Sequence, residues 1–146
     1  MNFQQISETG SRLIGAITKL GHVGPKHHGI VIGKSMEDGE VYIAENCHDG
    51  YKLATFDEFK ERYSPNGEIQ ISPNNGEFTD SEVAQRALNE ISRGGEGKYD
   101  LALNNCESFS NRATYGHSKS NQVINTIFGI AAIIGAVWVI KQAKKG

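Results

Sequence analysis

Asn104-Asn105-Cys106-Glu107-Ser108-Phe109 sets a cysteine at the point where a polar loop turns into a helix. Asparagine is among the best helix N-caps because its side-chain oxygen takes a first-turn N–H, and Glu107 adds a carboxylate where the helix dipole favours negative charge. Phe109 and Ala113 follow Cys106 at helical spacing, so all three share one face. That face reads as the one packed on a core, with a sulfur at its N-terminal end. The thiolate is the reactive form of cysteine, and unpaired N–H groups at a helix start stabilise it. The same position also suits a small buried hydrophobe, since free cysteine is among the most buried residue types.

Well upstream, His27-His28-Gly29-Ile30-Val31-Ile32-Gly33 leads through a polar turn with Asp38-Gly39 into Glu40-Val41-Tyr42-Ile43-Ala44-Glu45-Asn46. β-branched residues bounded by glycine read as two strands of a hairpin. Alternation puts His27, Gly29 and Val31 on one face and His28, Ile30 and Ile32 on the other. His28 is therefore expected on the more buried face, and His27 beside a glycine that leaves room for a reacting group. An imidazole next to a thiol supplies the proton acceptor of a cysteine nucleophile, although a histidine in a strand is also a common structural or solvated residue.

The segments between and around these two motifs give an α+β chain, with strands grouped early and the cysteine helix late. Tyr51-Lys52-Leu53-Ala54-Thr55 reads as a short strand and Phe56-Asp57-Glu58-Phe59 as the start of a helical turn. Glu68-Ile69-Gln70-Ile71 alternates as a further strand. Thr79 or Asp80 caps a helix through Ile91, with Val83, Ala84, Ala87 and Leu88 at helical spacing. At the N-terminus, Phe3, Ile6, Leu13, Ile14, Ile17 and Leu20 predict an amphipathic helix interrupted near Gly10, so that residues 1–24 form a helical segment ahead of a domain over 25–122.

His27-His28-Gly29-Ile30-Val31-Ile32-Gly33 together with Tyr99-Asp100-Leu101-Ala102-Leu103-Asn104-Asn105-Cys106-Glu107-Ser108-Phe109 resembles the paired signature of the lecithin:retinol acyltransferase-like family. That family includes the H-rev-type phospholipase/acyltransferases and is similar to circularly permuted NlpC-type cysteine peptidases, with histidine preceding cysteine in the chain. The likeness runs from His27 to Gln122, where Gly116, Ser120, Gln122 and Val123 resemble the segment after the family's cysteine helix. It implies a small antiparallel sheet with helices in a permuted papain-like arrangement, Cys106 as nucleophile and His27 as its base. The family's third polar residue stands near the end of the second strand. Glu45 is the preferred counterpart here and Asn46 the next, either of which would hold the second imidazole nitrogen and fix its tautomer. A register placing Ile43 or Ala44 there would leave a dyad. The Gly-Asp pair that family members carry shortly before the histidine motif is missing from residues 1–26.

A chain of 146 residues is ordinary for one domain. The net charge of −2, with no basic cluster outside the extreme C-terminus, excludes an electrostatic footprint for nucleic acid. Gly94-Gly95 fits neither a Walker nor a Rossmann fingerprint, so no cofactor is expected. Cys47-His48 lacks the ligand count and spacing of a zinc site, so no metal is expected and Cys47 reads as an incidental loop thiol. Cys106, as nucleophile, is expected free.

Residues 123–140 form an uncharged stretch followed by a basic tail over 141–146 with Lys141, Lys144 and Lys145. As a helix it reaches about 27 Å, just short of a hydrocarbon core of roughly 30 Å. Apolar on every side, it reads as a single C-terminal membrane anchor. Ala131, Ala132, Gly135 and Ala136 would allow helix-mediated self-association. No N-terminal secretory signal is evident, which leaves the catalytic domain expected on the cytoplasmic side. Three classes of function follow: a membrane-associated thiol acyltransferase or phospholipase acting on glycerophospholipid acyl esters, an NlpC-like cysteine peptidase or amidase, and a catalytically silent membrane protein of the same fold.

Overall fold

Strand β3 (Lys26–Ser35), the longest of the sheet, runs through its middle, and the other elements are arranged by what they do for its two edges and two faces. The computed structural model describes residues 1–94 and 105–117. Along one edge β3 pairs antiparallel with β4 (Val41–Cys47), which pairs with β5 (Gly50–Thr55). Its other edge is shared between β1 (Phe3–Gln4), opposite Ser35 and Lys34, and β2 (Arg12–Ala16), opposite Ile30 to Lys26. A last strand, β6 (Gln70–Ser72), pairs with β2 and completes the order β5-β4-β3-β2-β6.

The N-terminal segment therefore corrects the helix expected from its apolar spacing. A strand ten residues long leaves a row of N–H and C=O groups on its open edge, and the N-terminal residues satisfy them. Gly10 enters the left-handed region at φ 80°, where a side chain would also run into the backbone of Asp80, and this breaks helical continuity. The apolar residues then diverge. Leu13 is buried, Phe3 and Ile6 pack on opposite faces of the sheet, and Ile17 and Leu20 stay exposed. Residues 12–16 thus belong to the sheet rather than to a segment ahead of the domain, and β2 supplies the strand before the histidine motif, preceded by Gly10-Ser11 in place of Gly-Asp.

Three helices stand among the described residues: α1 (Phe56–Tyr63), α2 (Asp80–Ser92) and α3 (Cys106–Tyr115). The first two open on reciprocal capping boxes, Thr55 with Glu58 and Thr79 with Glu82. Asn105 caps α3 by accepting from the Ser108 N–H at 2.8 Å. The guanidinium of Arg86, lying over the Phe78 ring, donates to the carbonyls of Arg112 and Ala113 at its other end. Helices α2 and α3 cover one face, where Ile30, Ile32 and Ala44 meet Val83, Ala84, Ala87, Phe109 and Ala113. Helix α1 covers the other, where Phe59 packs on Leu13, Val31 and Ile43. No helix among the described residues is long and apolar enough to cross a membrane, and the hydrophobic stretch 123–140, with the tail after it, lies outside them.

Candidate active site

Pairing of Gly29 with Glu45 sets the local register of β3 and β4, so that His27, two residues back, shares a face with Glu45 and Cys47. His27 Nε2 donates to Glu45 Oε1 at 2.7 Å, and the other Glu45 oxygen accepts from Arg62 Nη2 at 2.6 Å. Tyr63, next to Arg62 on α1, stacks on the imidazole with ring centroids 4.9 Å apart. Cys106, the first residue of α3, brings its sulfur to 3.8 Å from the Lys26 carbonyl oxygen, next to His27, whose charged form it favours. Among the sequence-selected residues, Cys106, His27 and Glu45 therefore meet. Asn46 is buried too, one residue out of phase with Glu45 on β4.

Charge is compensated step by step along this line. Burial opposes protonation of His27, but its bonds to Cys106, Cys47 and Glu45 outweigh that cost and hold the imidazole well above its ordinary pKa. Glu45, wholly buried, would be driven toward its neutral form by desolvation, and the bonds from His27 and Arg62 reverse this and lower its pKa. Arg62 is raised in turn, its burial cost outweighed by Glu45. The site is thus a sulfur, an imidazole, a carboxylate and a guanidinium in series, and its charges favour an imidazolium beside the sulfur.

Three expectations are revised here. His28 is not the more buried of the pair, because α1 closes over His27 as fully as α2 and α3 close over the other face. The space beside Gly29 is filled by the core: a methyl group there would stand 2.6 Å from Ile43 Cγ2 and 3.4 Å from Phe59 Cε2. Cys47 is no loop thiol. It is the buried last residue of β4, with its sulfur 3.9 Å from both His27 Nε2 and Arg62 Nη1. His27, Glu45 and Cys47 also bring one potential metal-ligand atom each within 4.8 Å of one another. Arg62 already meets both the carboxylate and the sulfur of that group, so the positive charge it calls for comes from the protein.

Arg62 and Tyr63 were the residues missed from sequence. Their signal was present in α1, where Phe59 and Tyr63 stand one helical turn apart with Arg62 between, an arginine bordering an aromatic face. Only the fold shows that this face meets a buried carboxylate.

Across residues 13–119 the chain matches the family model described as lecithin retinol acyltransferase. No curated protein matches it.

Proposed function

Because the chain belongs to the lecithin retinol acyltransferase family, we propose that it is a membrane-associated thiol acyltransferase or phospholipase that takes an acyl group from a glycerophospholipid onto Cys106. The observation that carries this reading is the imidazole of His27, bonded to Glu45 at 2.7 Å through Nε2, with the Cys106 sulfur 3.8 Å from the carbonyl oxygen of the preceding residue, Lys26. With Nε2 taken by the carboxylate, Nδ1 is the nitrogen left to exchange a proton with sulfur.

In the proposed cycle the Cys106 sulfur attacks the ester carbonyl carbon while its proton resides on His27. The tetrahedral intermediate collapses, the C–O bond breaks, and His27 delivers the proton to the departing alcohol oxygen, leaving a thioester. Water or an acceptor alcohol or amine then attacks the thioester carbonyl, giving its proton to His27, and the proton returns to sulfur as the acyl group leaves. The positive end of α3 lies beside the oxyanion that forms in each half. Glu45 holds the imidazole orientation and stabilises the imidazolium, with Arg62 keeping the carboxylate ionised. Residues 123–140, partitioned into lipid, would hold this chemistry at its substrate.

A second assignment, Cys47 as the nucleophile, draws on its 3.9 Å approach to His27 Nε2. That nitrogen already serves Glu45, and Cys47 ends a strand rather than beginning a helix, so Cys106 is favoured. Intact-mass and peptide mapping after exposure to a diacyl phospholipid tests both. An acyl adduct on Cys106 supports the reading, an adduct on Cys47 transfers the role, and cleavage of peptide amides without any lipid adduct would move the chain to the peptidase class.

A further inference from the structure

The loop between β2 and β3, Ile17-Thr18-Lys19-Leu20-Gly21-His22-Val23-Gly24-Pro25, presents three aliphatic side chains to solvent: Ile17 is 46% exposed, Leu20 68% and Val23 97%. Single exposed hydrophobes are ordinary, but three on one short loop are a patch. The loop is also held in place. Ile17 N–H donates to the Pro25 carbonyl at 3.1 Å, Asn66 Nδ2 donates to the carbonyls of Ala16 and Ile17, and His22 Nε2 donates to the Glu68 carbonyl at 2.7 Å. Its apolar tip therefore needs little ordering before it meets a partner. The loop carries Lys19 and no acid and ends on Lys26, with Glu68 as the acidic neighbour on the segment that pins it.

Position makes this patch informative. The loop runs directly into Lys26, whose carbonyl oxygen lies 3.8 Å from the Cys106 sulfur, and into His27. An apolar, basic-flanked projection at the edge of a thiol site fits one partner in particular, a glycerophospholipid surface: the aliphatic tips enter the acyl boundary and the lysines stay among the headgroups. We propose that the loop over residues 17–25 is an interfacial wedge that seats the Cys106 site on the bilayer. This rests on the acyl-ester reading above and adds to it how the site is turned toward lipid, separately from any tether supplied by residues 123–140.

The chain carries one tryptophan, Trp138, so Val23→Trp in a Trp138→Phe background reports on the loop alone. On phosphatidylcholine vesicles containing phosphatidylglycerol, its emission should shift to the blue and be quenched at least twofold by a shallow nitroxide-labelled lipid. In a second arm, Leu20→Glu with Val23→Glu should lower turnover of vesicle phospholipid at least tenfold while leaving hydrolysis of a short-chain soluble ester within about twofold. A loop tryptophan that stays open to aqueous iodide in vesicle-bound protein, or a double variant as active on vesicles as the parent, overturns the wedge. So does a tryptophan already buried without lipid in a protein that sediments as a dimer, which would make the loop a self-association surface. A parent inactive on both esters would count against the catalytic reading, with the fluorescence arm still deciding the wedge.

Discussion

His27 and His28 are adjacent, chemically identical and almost equally buried, at 5% and 6% exposure, yet the two faces of β3 give them opposite electrostatics. On the α1 face, His27 meets Glu45, Cys47 and Cys106, and a positive charge is welcome there. On the α2–α3 face, neither ring nitrogen of His28 finds a hydrogen-bond partner among the described residues, and Arg12 and Lys26 add positive charge nearby. Burial, reinforced by Arg12, pushes its pKa down to about 4. A change of one residue in strand parity thus separates an imidazole that favours its charged form from a neutral core group. Burial alone does not decide what a histidine does; the charges sharing its face do.

The largest effect expected from this contrast is at the sulfur that only His27 serves. Cys106→Ala should reduce acyl transfer and hydrolysis to background, measured by turnover and by loss of the mass adduct, whereas Cys47→Ala should cost only a few-fold by loosening the packing around Nε2. Equal losses in the two variants would mean that both thiols take part in the cycle.

Next in size is the pair itself. His27→Gln should lower kcat/KM by roughly two to four orders of magnitude, the scale of a missing general base, while His28→Gln should change it by no more than a few-fold. The reverse ranking would place the chemistry on the α2–α3 face.

Glu45→Gln should follow, at about one to two orders of magnitude, because an amide can still orient the imidazole but cannot balance its charge. Arg62→Gln, acting one step further away at a partly exposed position, should cost less than Glu45→Gln, with a larger change in the pH profile than in KM. An Arg62 effect as large as that of His27 would show that the guanidinium touches substrate instead.

The smallest effect separates the faces by stability rather than rate. The folded-state pKa of His28 lies below its unfolded value near 6.5, so its contribution is present above that pH and is lost as pH falls toward 4, by about 3 kcal/mol in all. Replacing it as His28→Phe should remove that acid-side loss, so the difference in unfolding free energy between variant and parent should grow in favour of the variant from pH 6.5 to 4. For His27 the sign is opposite: its raised pKa contributes fully below about 6.5 and is lost as pH rises through the folded value. Chemical denaturation from pH 4 to 6.5 reads the His28 slope and from pH 6.5 upward the His27 slope, and parallel curves for parent and His28→Phe over the lower range would refute the assignment of His28 as the acid-sensitive group.

Local signals made much of the architecture legible. Thr79 with Glu82 and Asn105 before Cys106 are capping patterns whose partners lie within one turn, so α2 and α3 could be read from the chain itself. The hairpin of β3 and β4 followed from alternation and the Asp38-Gly39 turn, and the same parity separated His27 from His28. Where the partner is distant in sequence, the reading stopped or failed. Residues 12–16 became a strand because the open edge of β3 needed hydrogen bonds, a demand that no feature of residues 1–24 announces. The space beside Gly29 was closed by Ile43 from β4 with Phe59 from α1 behind it, and Cys47 became a neighbour of the imidazole only through the register of β3 on β4.

The candidate site divides along the same line. Cys106, His27 and Glu45 were selected through the resemblance to the family's paired signature, which the helix-start position of the thiol and the strand parity supported, because both motifs are written in residue types a few positions apart. Tertiary structure alone decided that Arg62 clamps the far oxygen of Glu45 and that Tyr63 stacks on His27, since α1 reaches them by packing across the sheet. Capping and alternation are set by groups a few bonds apart. Desolvation and charge compensation depend on every group that closes around a side chain, and those groups come from all parts of the chain.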